Sequence, residues 1–241
     1  MADIPSKWQG FLDSETVLIL DTETTGLTQN SEIVEIAIIN TKGETLLDTV
    51  VLPKGPIPTK ASDIHGLTRP RLKKMDAKPW MEYQNRVSEL LSSAKVVVIY
   101  NANFDTRMLQ QTAQKHGFHL NMPDRKFNCA MLDYAEFRGK RGKYGDFRWH
   151  KLGDAFRRET GKSPSKAHRA LDDCKMVLEL MRSVSVKVQP TPDPRPKRAR
   201  QQRYGDYDDK DDHSASDSGC LGSALLVATI IMVAVYAVLA F

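Results

Sequence analysis

Four acidic residues and one histidine have the types and the spacing that could do chemistry. The first two, Asp21 and Glu23, directly follow the apolar run at residues 17–20 and lie two positions apart. Because side chains alternate across a strand, both would project from one face. Like charges this close repel unless a cation lies between them, and Mg²⁺ prefers carboxylate oxygens. The pair therefore predicts a metal site for phosphoryl transfer.

The other three candidates fit the same chemistry. Asp105 follows the β-branched run at residues 95–100 and precedes a helical pattern, a junction at which carboxylates point into a cleft. Apolar residues at helical spacing predict a helix at residues 167–184. Five helical residues turn by about 500°, so His168 and Asp173 cannot share one helix face. We expect His168 in the loop or first turn, leaning over the site, and Asp173 in the helix body.

These motifs resemble those of the DEDDh (DnaQ-like, RNase T superfamily) 3′→5′ exonucleases. The matching stretches are residues 20–27, residues 100–105, His168 with Asp173, and the intervening residues 64–68, within a resemblance that spans residues 17–184. Tyr100 stands where members of the family often have His. Arg169 stands where the sister subclass has Tyr, which favours the histidine subclass.

The resemblance implies an α/β fold, a ribonuclease-H-like mixed β-sheet flanked by α-helices. It also implies two Mg²⁺ or Mn²⁺ ions about 3.5–4 Å apart, which share Asp21 and stabilise the attacking and leaving oxygens. Glu23 and Asp173 would complete one metal site, and Asp105 would hold the second ion directly or through water. Neutral His168 would take the proton from the attacking water.

The expected reaction is hydrolytic removal of nucleoside 5′-monophosphates from a free 3′ end, with single-stranded or frayed DNA favoured. The expected substrate contacts are the backbone around Thr24, Thr25, Gly26 and Leu27, together with His65, Asn101 and Phe104. Two alternatives stay open: an exoribonuclease that trims RNA ends or short oligomers, and a non-catalytic, membrane-tethered nucleic-acid binder. A homodimer is also left open.

The pattern along the chain predicts elements that can position these residues. Strands are expected at residues 17–21, 33–40, 46–52 and 96–100, and helices at 81–92, 105–116 and 167–184. Antiparallel strands followed by strands that alternate with helices indicate a mixed sheet flanked by helices, in agreement with the resemblance. We expect the exonuclease domain to occupy residues 1–188.

Composition indicates a reducing compartment and a basic surface. Cys129, Cys174 and Cys220 lie far apart, which argues against a disulfide framework or a zinc ribbon. The formal net charge is +5, and such basic surfaces suit a phosphate backbone. Basic residues cluster at Arg69, Arg71, Lys73 and Lys74, and again at Arg138, Lys140, Arg141, Lys143 and Arg148.

The C-terminal part differs in composition from the rest. Residues 189–220 are rich in Pro and charge and nearly lack aliphatic residues, which predicts a disordered linker. Residues 221–241 carry no charge, and as a helix they would measure about 31 Å, close to the roughly 30 Å hydrocarbon core of a bilayer. We expect a single-pass tail anchor in a lipid bilayer, with the catalytic domain on the cytoplasmic side.

Overall fold

A five-stranded mixed sheet is the centre of the structure, a computed structural model that describes residues 3–122, 126–142, 146–164 and 168–192. The strands are β1 (Val17–Thr24), β2 (Ile33–Asn40), β3 (Thr45–Val50), β4 (Val96–Ile99) and β5 (Phe127–Cys129), in the spatial order β3-β2-β1-β4-β5. Strand β2 runs antiparallel to both of its neighbours, β1 and β3, whereas β4 runs parallel to β1 and β5 runs parallel to β4. The predicted α/β class with a mixed sheet is confirmed.

Helices cover both faces of this sheet. They are α1 (Ile4–Leu12), α2 (Thr59–His65), α3 (Arg69–Lys74), α4 (Gln84–Ser93), α5 (Ala102–Lys115), α6 (Ala130–Arg138), α7 (Leu152–Thr160) and α8 (Ala170–Ser185), with a 3₁₀ turn at Trp80–Glu82. The sequence patterns missed α1, α2, α3, α6 and α7 as well as the short strand β5.

The alternation of side chains in β1 separates two apolar cores. Val17 and Ile19 pack with α1, α6 and α8, in what we call the α8-side core. Leu18 and Leu20 pack with α4 and α5, in the α5-side core. A strand that is covered on both faces must be apolar at successive positions, which is why residues 17–20 read as a continuous hydrophobic run.

Several predicted boundaries were wrong near the candidate site. β1 continues to Thr24 because its pairing with β2 extends that far, so Asp21 and Glu23 lie inside the strand. Helix α5 begins at Ala102, which puts Asp105 in its first turn rather than at the junction itself. Helix α8 begins at Ala170, so Asp173 lies in the first turn and not in the helix body. Local patterns mark the apolar core of an element better than its ends.

The membrane prediction concerns residues that the structure does not describe. The proposed span at 221–241 and the linker from residue 193 onward, Cys220 included, lie outside the described ranges. None of the helices within those ranges is long and apolar enough to cross a bilayer. Helix α8 ends at Ser185, close to the predicted end of the domain at residue 188.

Candidate active site

The candidate site forms where the end of β1 meets the start of α8. Asp21 and Glu23 continue the β1 face that carries Val17 and Ile19, which is the face covered by α8. The first turn of α8 brings Asp173 to this face. Potential metal-ligand atoms of Glu23, His168 and Asp173 all lie within 4.8 Å of one another. Residues as far as 150 positions apart in the sequence therefore converge on one small volume.

Asp105 reaches the site from α5, on the other side of β1. Its Oδ1 accepts two hydrogen bonds from Thr22, one from the main-chain N–H at 3.1 Å and one from the hydroxyl at 2.6 Å. Thr22 points to the opposite face from Asp21 and Glu23, so one strand supplies two ligand candidates and the anchor for a third. The sequence analysis did not identify Thr22, although its position between the two acids places its side chain on the opposite face of the strand.

Burial and mutual repulsion raise the pKa of every carboxyl group in the cluster. Burial is the main cause for Glu23, whose pKa rises to about 8, with the charges of Asp173 and Glu35 adding to it. Burial likewise raises the pKa of Asp105 to about 7, against the hydrogen bonds from Thr22, and that of Asp173 to about 7. The pKa of Asp21 is raised by burial and then by the charge of Asp105. Without a cation the site therefore holds protons that ordinary carboxylates would release.

We expect the metal-free protein to become less stable as the pH rises from 6 to 8. An unfolded carboxyl has a pKa of about 4, so the folded chain binds more protons in this range and the free energy of unfolding falls with pH. The melting temperature in EDTA should drop by several degrees between pH 6 and pH 8, and Asp21→Asn should flatten this dependence. Saturating Mg²⁺ should also flatten it, since a bound cation replaces the protons. A steeper fall in Mg²⁺ than in EDTA would contradict this prediction.

The donor set fits a divalent cation. Asp173 Oδ1 is buried and has no hydrogen-bond partner among the described residues. A buried carboxylate oxygen without a donor is costly unless a cation or a proton satisfies it. The cluster is rich in carboxylate oxygens, which suit Mg²⁺ and Mn²⁺. Asp21, Glu23, Asp105 and Asp173 are therefore the residues that would hold the metal.

His168 lies over the carboxylates on a constrained backbone. It is exposed, and its φ of 68° lies in the left-handed region that residues other than glycine rarely adopt. The neighbouring Arg169 donates from Nε and Nη2 to both carboxylate oxygens of Glu35, at 2.5–3.0 Å. The main-chain N–H of Ala170 donates to the same carboxylate at 3.2 Å. These bonds fix the turn that presents His168, in the loop position that the sequence predicted.

Glu35 is a buried charge that needs the ion pair with Arg169. Glu35 pairs directly with Glu23 across β1 and β2, and its side chain is only 2% exposed. Like charges at paired positions destabilise a sheet, and a buried carboxylate needs a partner. Arg169 supplies that partner from the residue next to His168. The same ion pair therefore compensates the buried charge of Glu35 in the sheet and holds the loop that carries His168 in place.

We expect Arg169→Gln to destabilise the fold by about 3 kcal/mol. Removing one partner of a buried ion pair costs about 3–5 kcal/mol, and the lower end applies because the Arg169 side chain is 32% exposed. Urea unfolding in EDTA would measure the change. Arg86→Gln is the matched control, since Arg86 pairs with Glu89 on the surface and should cost less than about 1 kcal/mol. Equal effects of the two substitutions would contradict the role given to Arg169.

The loop after β1 is the one that the sequence predicts to contact the terminal nucleotide. Thr25 and Glu32 close it, with the Thr25 N–H on the Glu32 carbonyl at 2.8 Å and the Glu32 N–H on the Thr25 hydroxyl at 2.9 Å. Gly26 has a φ of 153°, and a Cβ there would lie 3.2 Å from Ser31 Oγ, so a side chain would strain the backbone and crowd Ser31. Leu27 is 52% exposed at the tip. An apolar side chain at that place can contact a base or sugar.

The remaining predicted contacts differ in how accessible they are. His65 is buried, its Nδ1 accepts from the Leu67 N–H, and its Nε2 lies 3.2 Å from the Thr24 carbonyl, so both ring nitrogens serve the loop. Burial lowers the pKa of His65, which keeps the ring neutral. Asn101 and Phe104 are half-buried at the start of α5, and the Phe104 ring packs on the α5-side core. Substrate contact by these three residues stays a prediction.

Comparisons with known proteins agree with this geometry. The RNase_T exonuclease family model matches residues 18–181. The uncharacterized exonuclease CP81 of Escherichia phage 186 is 40% identical over 184 residues, covering 75% of this chain and 93% of the phage protein. The sheet and helices are similar to E. coli exonuclease I in complex with a dT13 oligonucleotide (TM-score 0.58, 15% identity, 72% of this chain and 41% of that one). They are also similar to the nuclease domain of 3′hExo, a DEDDh family member, bound to rAMP (TM-score 0.53, 16% identity, 70% and 92%).

The chain therefore belongs to the RNase_T exonuclease family. It is a nuclease that acts on nucleic acid, and the resemblance drawn from the three motifs is confirmed at the level of the family. Enzymes of this type use divalent metal ions, in agreement with the carboxylate cluster.

Proposed function

We propose that this protein is a metal-dependent 3′→5′ exonuclease that releases nucleoside 5′-monophosphates, with DNA as the preferred polymer. The observation that carries the proposal is the convergence of Glu23, His168 and Asp173 within 4.8 Å, beside Asp21 and the anchored Asp105. A non-catalytic binder would not need to keep four carboxyl groups in a cluster that raises the pKa of each one.

The chain's own residues have distinct tasks in this reaction. Divalent ions bound to the four carboxylates would supply positive charge for the phosphate oxygens as negative charge develops on them. His168 is exposed above Glu23 and Asp173 and would accept the proton of the attacking water. The loop closed by Thr25 and Glu32 would hold the terminal nucleotide in place. Thr22 would keep Asp105 fixed throughout.

Directional labelling tests the polarity. A DNA strand labelled at its 5′ end should give a descending ladder of labelled products in Mn²⁺, whereas a strand labelled at its 3′ end should release labelled mononucleotide at once. A 3′-terminal phosphate should block the reaction, because the proposed substrate has a free 3′ end. Immediate release of mononucleotide from the 5′-labelled strand would overturn the proposed direction.

RNA is the second candidate substrate. One structural neighbour holds dT13 and another holds rAMP, so the likeness of fold supports both polymers. Matched DNA and RNA strands of one sequence, each at several concentrations, would give kcat/KM for both. A higher kcat/KM for RNA would replace DNA with RNA in the proposal and leave the metal chemistry unchanged.

We further propose that residues 221–241 tether the enzyme to a membrane. The support is the uncharged run of these residues, which is long enough for a bilayer core. The full-length chain should stay with membranes through alkaline carbonate washing, and a chain shortened before Cys220 should be released with unchanged activity on short oligonucleotides. Carbonate release of the full-length chain would contradict the tether.

A further inference from the structure

A basic cleft lies between α7 and the segment that follows α6. Its volume is about 490 Å³, and it is lined by Lys140, Arg148, His150, Asp154, Arg157 and Arg158. Asp154, Arg157 and Arg158 are three and four residues apart, so α7 turns one face toward the cleft. We refer to it as the Arg148 cleft.

The cleft has an excess of positive charge that the described residues leave unpaired. Asp154 is its one acid among the lining residues, and it pairs with Arg157 at 2.9 Å. Within the described ranges, Lys140, Arg148 and Arg158 make no ion pair, and all three are exposed. Three uncompensated cations in one concave surface attract an anion with several charges.

His150 adds unused hydrogen-bonding capacity to the same cleft. Its Nε2 is buried and has no partner in the part of the chain that the structure describes. The ring packs edge-on against Tyr134, with centroids 5.4 Å apart, so it is held in place. Burial, followed by the charges of Arg158 and Arg138, lowers the pKa of His150. The imidazole is therefore a neutral and fixed part of the cleft wall.

The Arg148 cleft connects directly to the frame of the active site. Tyr100, at the end of β4, donates its hydroxyl to the His150 carbonyl at 2.7 Å. The next residue, Asn101, caps α5, whose first turn carries Asp105. Residues 100–105 thus contact the wall of the cleft through Tyr100 and carry the carboxyl group of Asp105 to the candidate active site.

The other basic cluster is less available. Arg69 Nη2 donates to the carbonyls of Pro53 and Gly55 at 2.7 and 2.6 Å, and Arg71 donates to the Gly66 carbonyl at 3.0 Å. These guanidinium groups brace the chain between β3 and α3. Among the described residues, Arg148 and Arg158 of the Arg148 cleft make no such bond, so their guanidinium groups are free to bind a ligand.

We propose that the Arg148 cleft binds phosphates of the substrate strand several nucleotides away from the scissile bond. This rests on the proposed exonuclease function and adds to it a second contact point on the same strand. A strand long enough to reach both places would gain affinity, and the chemistry at its 3′ end would be unchanged. This second phosphate contact makes the enzyme prefer polymers over the shortest oligomers.

A length series with a double variant tests this inference. Arg148→Gln/Arg158→Gln removes two charges from the cleft, and Lys42→Gln/Lys95→Gln removes two from one end of the sheet. Lys42 follows β2 and Lys95 precedes β4, so both lie at the end where β1 begins. KM and kcat would be measured with the full-length chain in mild detergent, on oligonucleotides from two to about twenty nucleotides.

For the wild type and the control variant, KM should fall sharply at the length that first spans both sites. The cleft variant should lose this fall and show a KM about tenfold higher on the longest strand, with dinucleotide turnover unchanged. The slope of log KM against log salt should shrink by about 1.4, two single-strand phosphate contacts at about 0.7 each.

The outcomes separate the two proposals. An equal KM for the cleft variant and the control variant on long strands would overturn the role of the cleft while leaving the exonuclease function intact. An equal loss on the dinucleotide would also overturn it, because the residues would then act at the scissile bond or on the fold. Absence of dinucleotide hydrolysis by the wild type in Mg²⁺ or Mn²⁺ would instead contradict the proposed function.

Discussion

Asp21→Asn should lower kcat by several orders of magnitude and at the same time make the metal-free protein more stable. Asp21 lies beside the other three carboxyl groups, so the substitution removes a ligand charge that no neighbour can replace. It also removes repulsion from Asp105, Asp173 and Glu23, the charges that raise its pKa after burial. We expect a gain of about 1 kcal/mol in EDTA, which is roughly 2–4 °C in melting temperature for a domain of this size.

The adjacent Asp172 provides a matched control. Asp172→Asn makes the same chemical change one residue from Asp173, at a half-buried position outside the group of converging ligand atoms. It should keep nearly full activity in Mg²⁺. The combination of lost activity and gained stability is specific for Asp21, because damage to the fold would lower both quantities. Activity of Asp21→Asn within tenfold of wild type would remove Asp21 from the metal site.

His168→Ala should reduce turnover by about 10²–10⁴-fold, the usual contribution of one acid–base group. Its side chain can reach the same small volume as Glu23 and Asp173, so a direct role as a metal ligand must be distinguished from proton transfer. A general base would leave Mn²⁺ affinity nearly unchanged, and titration of Mn²⁺ into the variant would measure it. We expect affinity within a few fold of wild type.

The control for this experiment is His119→Ala, which removes an exposed histidine elsewhere and should leave turnover unchanged. Full rescue of His168→Ala by excess Mg²⁺ would assign His168 to the metal shell instead of the proton transfer. Near-normal turnover without rescue would remove it from the reaction altogether. Both results differ from the effect of displacing the loop that carries His168. Arg169→Gln would cause that displacement, because it removes the ion pair with Glu35.

The sequence by itself determined four of the five strands and the order of the acidic motifs. Strand β2 lies at residues 33–40, as predicted, because its side chains are almost all buried and its apolar run has clear polar ends. Asp21 and Glu23 share a face because the period of a strand is two, whatever surrounds it. Spacing of this kind is a local property. It can be read without knowing which helix covers the strand.

Only the tertiary structure decided how the candidate residues are held. The Thr22 bonds to Asp105 join positions 83 residues apart, and the Arg169 clamp on Glu35 joins positions 134 apart. No local pattern encodes such pairs, since each side chain alone fits many environments. The structure likewise showed that Arg69 braces a loop, whereas Arg148 makes no ion pair with any residue that the structure describes, although both read as basic surface in the sequence. Charge type is local, but whether a charge is already satisfied depends on which distant carbonyls and carboxylates folding brings within hydrogen-bond reach.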